Sequence, residues 1–183
     1  MPNKKNFYDA ATEKLVQQVK SMRMPAKFDA RYDLAEMVRR FRETFKNEEL
    51  RSLVLNPKYE ESRLANANFS SGFCGIASYT WTHLFRMPDE SPIWKLKQYS
   101  DNNSVYGLKN HVWLENRFDN SILDLIFDQS LNGAGTYVEI PYFLGKPIDE
   151  NFFFNRAITF ADYLGINLED IVFVNILMNK QKQ

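Results

Sequence analysis

The sequence predicts an α+β fold in which helices come first, a small antiparallel sheet follows, and helices close the chain. Apolar residues recur at helical spacing through roughly the first 55 positions, the pattern alternates in the middle of the chain, and helical spacing returns near its end. Segregated helices and strands are typical of α+β domains. A length of 183 residues is typical of one domain with a substantial core.

The N-terminal part, residues 1–63, is predicted to be helical. The first helix covers Tyr8 to about Met22 and ends before Pro25, because proline is disfavoured inside a helix. Asp29 or Asp33 is expected to cap the second helix. The apolar side of that second helix comprises Leu34, Met37, Val38, Phe41 and Phe45.

The central part, residues 64–145, is predicted to hold one apolar helix and the sheet. A polar loop at residues 66–72 leads into a helix from Gly75 to about Phe85. A hairpin is indicated by turn residues between the second and third strands, at positions 116–121. The predicted strands are Ile93–Tyr99, His111–Glu115, Ile122–Phe127 and Tyr137–Phe143, the last of them limited by Pro141.

The C-terminal part, residues 146–183, is predicted to contain two helices. Asp149 or Glu150 opens the first, which runs to about Leu164 and is followed by a capping glycine. Asn167 is expected to cap the second, over residues 168–178. The fifteen Phe and nine Tyr residues of the chain predict a core built on aromatic packing.

Composition argues against several classes of function. The formal net charge is zero, so no basic surface for nucleic acid or acidic lipid is expected. The first residues show no apolar signal segment, and the chain has a single cysteine, which cannot form an internal disulfide. We therefore expect a cytoplasmic protein without a membrane partner, and delivery into a target cell by a dedicated secretion system is compatible with the same sequence.

The single cysteine lies where a nucleophile is expected. Cys74 stands between a polar loop and an apolar helix, in the stretch "SSGFCGIAS". The thiolate is the reactive form of cysteine, and both a helix N-terminus and a neighbouring imidazolium favour it. By abundance alone a lone cysteine is more often a small buried apolar residue.

The chain offers two histidines as the general base. His83 is nine residues after Cys74 on the same predicted helix, so the two side chains would point to opposite faces, roughly 13 Å apart along the axis. His111 begins a predicted strand and remains as the candidate. A carboxylate on its second ring nitrogen would orient the ring.

Two carboxylates are candidates for that role. A two-residue turn at positions 119–120 would place Asp128 opposite His111 and Asp124 opposite Glu115. A register shifted by two residues on each side would place Asp124 opposite His111. The sequence leaves the choice between the two carboxylates open.

The order of these motifs resembles that of the papain-like and transglutaminase-like cysteine enzymes. The resemblance rests on Cys-Gly at a helix start, then "NHVWLEN", then "ILDLIFDQS", and covers about residues 68–130. That superfamily includes proteases, transglutaminases, and bacterial effector deamidases and toxins. It implies a papain-like fold, Cys74 as nucleophile, His111 as base and Asp124 as the orienting carboxylate. Asn68 stands where papain-type enzymes place a glutamine that polarises the oxyanion, and the backbone N–H of Cys74 is a second expected oxyanion donor.

The resulting hypothesis is a cysteine-dependent amide hydrolase or acyltransferase acting on protein substrates, as a glutamine deamidase, a transglutaminase-like enzyme or a protease. The alternative is a non-catalytic α+β interaction or regulatory module, including a degenerate papain-like fold that binds without turnover. Trp113 is expected to pack behind the site, and Glu115 to be solvated or ion-paired. No ligand spacing indicates a metal site, and no glycine-rich loop indicates a nucleotide or another cofactor.

Overall fold

The computed structural model describes residues 4–26, 28, 31–60, 64, 68–89, 91–130, 138–148 and 154–167. The helices are α1 (Lys4–Ser21), α2 (Leu34–Thr44), α3 (Glu48–Val54), α4 (Cys74–Leu84) and α5 (Phe154–Tyr163). The strands are β1 (Trp94–Ser100), β2 (Asn110–Asn116), β3 (Ile122–Leu123) and β4 (Lys146–Pro147). These helices and strands confirm the predicted α+β class.

Local capping explains where two of the helices begin. Asp33 accepts a hydrogen bond from the backbone N–H of Glu36 at the start of α2, and Asn47 accepts one from Leu50 at the start of α3. Such side-chain acceptors satisfy backbone donors that a helix start otherwise leaves unpaired. Of the two predicted caps for α2, Asp33 is therefore confirmed, and Asp29 lies outside the described residues.

The four strands form one antiparallel sheet in the order β3-β2-β1-β4. Helix α4 packs against β1 and β2 on one side and against α5 on another, while α1 packs against α2. The helix that begins with Cys74 therefore packs on the strand that contains His111.

An aromatic cluster joins the helices to α4. Phe73 stacks on Phe45 with ring centroids 4.6 Å apart, and Phe160 of α5 lies 5.7 Å from both rings. Phe41 of α2 meets both Trp81 of α4 and Phe160 edge-on. All five side chains are fully buried, so the expectation of an aromatic core is confirmed for the described residues.

The second half of the sheet differs from the prediction. The strand expected over Ile122–Phe127 ends at Leu123 and gives way to a 3-10 helix, Phe127–Ser130. Residues 138–143 of the strand expected over Tyr137–Phe143 are not in a strand; Tyr142–Leu144 form a 3-10 helix after Pro141, and the edge strand β4 follows. Proline lacks the N–H that a strand donates, which accounts for the interruption.

Neither hairpin register considered from the sequence occurs. The ladder pairs Glu115 with Ile122 and Leu114 with Leu123, which lies midway between the two predicted registers. The turn contains four residues, 117–120, rather than two, and Asn120 adopts a left-handed conformation with φ 57°. Asparagine tolerates that conformation better than most residues, so the local sequence favours the longer turn.

The predicted helix start at Asp149 or Glu150 and the predicted helix over residues 168–178 lie outside the described residues. Helix α5 ends directly before Leu164 and Gly165, as predicted. Among the helices of the described ranges, none combines the length and apolar character needed to cross a membrane.

Candidate active site

Cys74 is the first residue of α4, and the preceding loop fixes its position. Phe73 is fully buried in the aromatic cluster, which pins the start of the helix to the core. Gly72 has φ +90°, and a Cβ on it would lie 2.8 Å from the ring of Tyr59, so the loop requires glycine there. Cys74 itself is a free, partly exposed thiol.

The start of α4 has no side-chain cap. The first backbone N–H groups of a helix lack partners within the helix, and together with the helix dipole they favour a negative charge at that end. The thiol of Cys74 and any anion formed on it therefore lie at the positive end of α4. This is the environment in which cysteine thiols become reactive.

His111 is completely buried on β2 and is held by Asp124. The Nε2 atom of His111 lies 2.5 Å from Oδ2 of Asp124, the first residue after β3. The same oxygen accepts a hydrogen bond of 2.9 Å from the hydroxyl of Tyr142, and Oδ1 accepts one of 3.1 Å from the backbone N–H of Ile126. A buried carboxyl group needs hydrogen-bond donors to replace its lost hydration, and these three contacts supply them and fix the orientation of the His111 ring.

Cys74 and Asp124 act together on the protonation of His111. Burial lowers the pKa of His111, but the charge and hydrogen bond of Asp124 raise it, as do a hydrogen bond and the charge of Cys74. The balance raises the pKa of His111 to about 10. The thiol is thus close enough to the imidazole to affect the pKa of His111.

Gln129 occupies the second nitrogen of His111. Its side-chain Nε2 lies 2.5 Å from Nδ1 of the imidazole. Gln129 belongs to the 3-10 helix that follows Asp124, where its backbone N–H bonds to Ile126. Both ring nitrogens of His111 therefore contact polar side chains, Nε2 that of Asp124 and Nδ1 that of Gln129.

Trp113 forms one wall of the site, as expected from the sequence. Its ring stacks on His111 at a centroid distance of 6.0 Å and meets Tyr142 edge-on at 5.2 Å. Gly145 lies so close that a Cβ there would be 2.1 Å from the indole. The chain segment after Pro141 therefore packs tightly on Trp113 and holds Tyr142 against Asp124.

Asp128, the alternative partner for His111, lies elsewhere. Its two carboxylate oxygens are 2.8 and 2.6 Å from the guanidinium nitrogens of Arg42, and both side chains are buried. Of the two candidate carboxylates, Asp124 is therefore the one in contact with His111.

Asn68 is also engaged away from the imidazole. Its side-chain amide donates to the backbone carbonyl of Asp128 at 2.5 Å, and its Oδ1 accepts from the backbone N–H of Ser70 at 3.0 Å. Both ends of this buried carboxamide thus shape the loop before Cys74. Among the described residues, Asn68 makes no hydrogen bond to His111, and the oxyanion role that the resemblance implies for it stays a prediction.

The remaining polar candidates lie outside the site. His83 is buried near the C-terminal end of α4, lies tilted against Tyr79 with ring centroids 4.5 Å apart, and hydrogen-bonds to Arg86. Burial and the guanidinium of Arg86 lower the pKa of His83 to about 3. Glu115 is ion-paired with Lys95 and Lys97. Of the two environments expected for it from the sequence, solvated or ion-paired, it has the second.

A cavity of about 280 Å³ borders the carboxylate of the site rather than its thiol. Its lining residues are Lys14, Gln18, Ile122, Asp124, Phe127 and Tyr142. Within the described part of the chain, no group of three or more metal-ligating side chains is close enough to hold a metal ion.

Sequence reasoning missed Gln129 and Tyr142, which contact His111 and Asp124 respectively. The sequence predicts that Gln129 begins a short helix capped by Asp128 and that Tyr142 lies in the strand Tyr137–Phe143. A carboxamide and a phenol carry no spacing signal of their own, and neither prediction indicates a contact with His111 or Asp124.

Comparison of the chain with protein-family models, with curated proteins and with solved structures gives no match.

Proposed function

We propose that this protein is a cysteine-dependent amide hydrolase or acyltransferase that acts on protein substrates through Cys74, His111 and Asp124. One observation carries the proposal: the Nε2 atom of a buried imidazole is 2.5 Å from a buried carboxylate, and a partly exposed thiol at an uncapped helix start lies close enough to raise the pKa of that imidazole. Cys74, His111 and Asp124 would then be the nucleophile, the base and the orienting carboxylate of a cysteine triad.

In the proposed reaction, the proton of Cys74 passes to Nδ1 of His111, and the sulfur attacks an amide carbonyl carbon. The carbonyl electron pair moves onto oxygen, next to the backbone N–H groups at the start of α4. When the pair returns, the C–N bond breaks, and His111 gives its proton to the departing nitrogen. Water then attacks the thioester and loses a proton to His111, which releases the acid and restores the thiol.

The acceptor decides which named reaction results. Water acting after attack on a glutamine side chain gives deamidation, and an amine in place of water gives transglutamination. Attack on a main-chain amide gives proteolysis. The resemblance to papain-like and transglutaminase-like enzymes supports all three, and its effector and toxin members support the variant in which the protein is delivered into another cell. In the cytoplasm, the thiol stays reduced.

A general acyl probe tests the proposal without knowledge of the natural substrate. We expect p-nitrophenyl acetate to release a burst of nitrophenolate and to leave one acetyl group on Cys74, detected by intact mass and peptide mapping. Cys74→Ser should abolish the burst. His111→Asn, which keeps a polar side chain of similar size next to Asp124, should slow it by about 10²-fold or more. Acetylation at the same slow rate in wild type and His111→Asn would end the proposal.

A second function, a non-catalytic interaction module, is favoured by one specific observation. His111 has no exposed surface, and the atom found at 2.5 Å from Nδ1 is the carboxamide nitrogen of Gln129. In that case the polar cluster is structural. The acyl probe separates the two functions, because a structural cluster gives no burst that depends on both Cys74 and His111.

A further inference from the structure

The two most exposed large apolar side chains of the described residues lie in one patch of the surface. Val105 is 90% exposed in the loop between β1 and β2, and Phe143 is 74% exposed in the segment that follows Pro141. The ring of Tyr106, next to Val105, meets that of Phe143 edge-on with centroids 6.4 Å apart. Leu144, which is 44% exposed, extends the patch. We call these four side chains the apolar ridge: Val105, Tyr106, Phe143 and Leu144.

Two routes of contacts connect the apolar ridge to His111. In the first, Tyr99 pairs with His111 across β1 and β2, so their side chains share a face of the sheet. The ring of Tyr99 in turn meets that of Tyr106 edge-on at 6.2 Å. In the second, Tyr142, the neighbour of Phe143, donates a hydrogen bond to the carboxylate that contacts His111. The ridge therefore lies within roughly 20 Å of the imidazole, a distance that about six residues of extended chain span.

The chemistry of the apolar ridge favours an uncharged partner. The two segments that carry it, residues 104–108 and 140–145, contain no charged side chain. Burying apolar surface is favourable roughly in proportion to the area removed from water. A nucleic acid or a charged peptide, by contrast, needs counter-charges that these segments do not supply. An aromatic or large aliphatic side chain is the group that fits the ridge.

The size of the apolar ridge favours a chain segment over a second copy of this protein. Three exposed apolar side chains and a half-buried tyrosine present on the order of 400 Å² of surface. A stable homodimer buries about 800 Å² or more on each partner, so the ridge alone is too small for one. It is large enough to cover one or two side chains of a bound peptide segment.

We propose that the apolar ridge is a substrate-docking surface, which binds an aromatic or large aliphatic side chain of a protein substrate within about six residues of the amide that reacts with Cys74. This inference rests on the proposed function and narrows its substrate class. Binding at a distance from the reacting atoms lowers the concentration at which the substrate is captured, and it leaves the chemical step to the triad. Protein substrates that carry such a side chain near the reacting amide are therefore preferred.

Iodoacetylated peptides test the docking surface independently of the acyl chemistry. The probes are iodoacetyl-(Gly)n-Phe-amide and iodoacetyl-(Gly)n-Ser-amide, with flexible linkers of about 2 to 8 glycines. Both alkylate Cys74, the single cysteine of the chain. Phe143→Ser removes the most exposed ring of the apolar ridge. Phe118→Ser is the matched control, because Phe118 is 52% exposed in the turn after β2, at the opposite end of that strand from His111.

We expect the Phe probe to alkylate wild-type Cys74 about 5- to 20-fold faster than the Ser probe at the best linker length. For each variant the measured quantity is the ratio of the two rates, which cancels any change in the thiol itself. Phe143→Ser should abolish the preference for the Phe probe, whereas Phe118→Ser should keep it.

Equal rates with the two probes at every linker length in wild type would overturn the inference, as would a preference that survives in Phe143→Ser. A preference lost equally in Phe143→Ser and Phe118→Ser would also overturn it, since it would reflect general apolar adhesion. So would a wild-type dimer that Phe143→Ser converts to a monomer in size-exclusion chromatography, because a second copy would then cover the ridge. If the preference depends on Phe143 but wild type gives no acyl burst, the proposed function fails while the docking surface stands, so the two failures are distinguishable.

Discussion

At the scale of single residues, the two histidines of the chain are both buried, but their pKa values are shifted in opposite directions. Asp124 and Cys74 raise the pKa of His111, whereas burial and Arg86 lower that of His83. The difference lies in the sign of the neighbouring charge. Only the first arrangement suits a general base that must hold a proton taken from a thiol.

Replacing the carboxylate on His111 should change both its pKa and the reactivity of the site. We expect Asp124→Asn to lower the pKa of His111, because Asp124 provides the largest contributions that raise it. Acylation of Cys74 should slow by about 10²-fold or more, since the ring loses its preferred tautomer. Histidine NMR resonances followed through a pH titration measure the first effect, and the acyl probe measures the second.

Asp128→Asn is the matched control for that experiment. It removes the charge that pairs with Arg42, so it should reduce stability while leaving the pKa of His111 close to its wild-type value. A fall in the pKa of His111 in Asp128→Asn but not in Asp124→Asn would assign the orienting role to the other carboxylate.

His83 should make the protein sensitive to acid. Its pKa is lowered from 6.5 to about 3 in the folded state, so below pH 6.5 the unfolded chain binds a proton that the native chain does not. Stability should therefore be lost as the pH falls from 6.5 toward 3, by up to about 1.4 kcal/mol per pH unit. His111 does not oppose this trend, because its raised pKa leaves it protonated in both states over most of this range.

Urea unfolding of His83→Phe and of wild type at several pH values measures this effect. The difference in unfolding free energy should shift in favour of the variant as the pH falls, since phenylalanine has no proton to gain and still fits against Tyr79. Parallel stability curves between pH 6.5 and pH 4 would show that His83 is not the group responsible.

At the scale of elements, the sequence predicts the helices better than the sheet. Helical periodicity and an N-cap such as Asp33 are local, so α1, α2 and α4 lie close to their predicted positions. The register between β2 and β3 depends on the geometry of the turn that joins them. That turn has four residues and a left-handed Asn120, in place of the two-residue turn considered from the sequence. The contacts of Gln129 and Tyr142 depend on 3-10 turns that follow broken strands. The contact of His111 with Asp124 was one of two that the sequence allowed, and the contacts of Gln129 and Tyr142 with these residues were not predicted.

The close contact between Gly145 and Trp113 gives a test at this scale. We expect Gly145→Ala to destabilise the fold by about 1–3 kcal/mol, because the added methyl group collides with the indole and has little room to relax. Acylation of Cys74 should slow as well, since Trp113 stacks on His111. Thermal unfolding and the acyl probe provide the two readouts.

Trp113→Phe combined with Gly145→Ala is the control for that collision. The smaller ring lacks the atoms that the new Cβ would meet, so the double variant should lose less stability than the sum of the two single losses. Strictly additive losses would mean that the contact is not the cause.

At the scale of the whole molecule, a buried ion pair joins the N-terminal helices to the site. Arg42 of α2 holds Asp128 with two hydrogen bonds, stacks over Tyr8 of α1 at 3.8 Å, and also reaches the carbonyl of Leu125. Asp128 adjoins Gln129 in the same 3-10 helix. This pair links the helical part to the segment that carries the site, which supports the prediction that residues 1–183 unfold as a single domain.

Replacing only one member of this ion pair should lower the free energy of unfolding much more than replacing both. Arg42→Met leaves a buried carboxylate without its partner, so we expect a loss of about 3–5 kcal/mol. Adding Asp128→Leu removes the stranded charge, so the double variant should be more stable than Arg42→Met. Urea unfolding followed by far-UV and near-UV circular dichroism measures both values. Transitions that differ between the two probes would contradict the single cooperative unit.

Activation of Cys74 by His111 can be measured as the rate at which iodoacetamide alkylates Cys74 at pH 7. The measurement compares wild type with His111→Asn and with wild type unfolded in urea. We expect the folded wild-type thiol to react at least about tenfold faster than both. Equal rates in wild type and His111→Asn, or a folded thiol slower than the unfolded one, would contradict it.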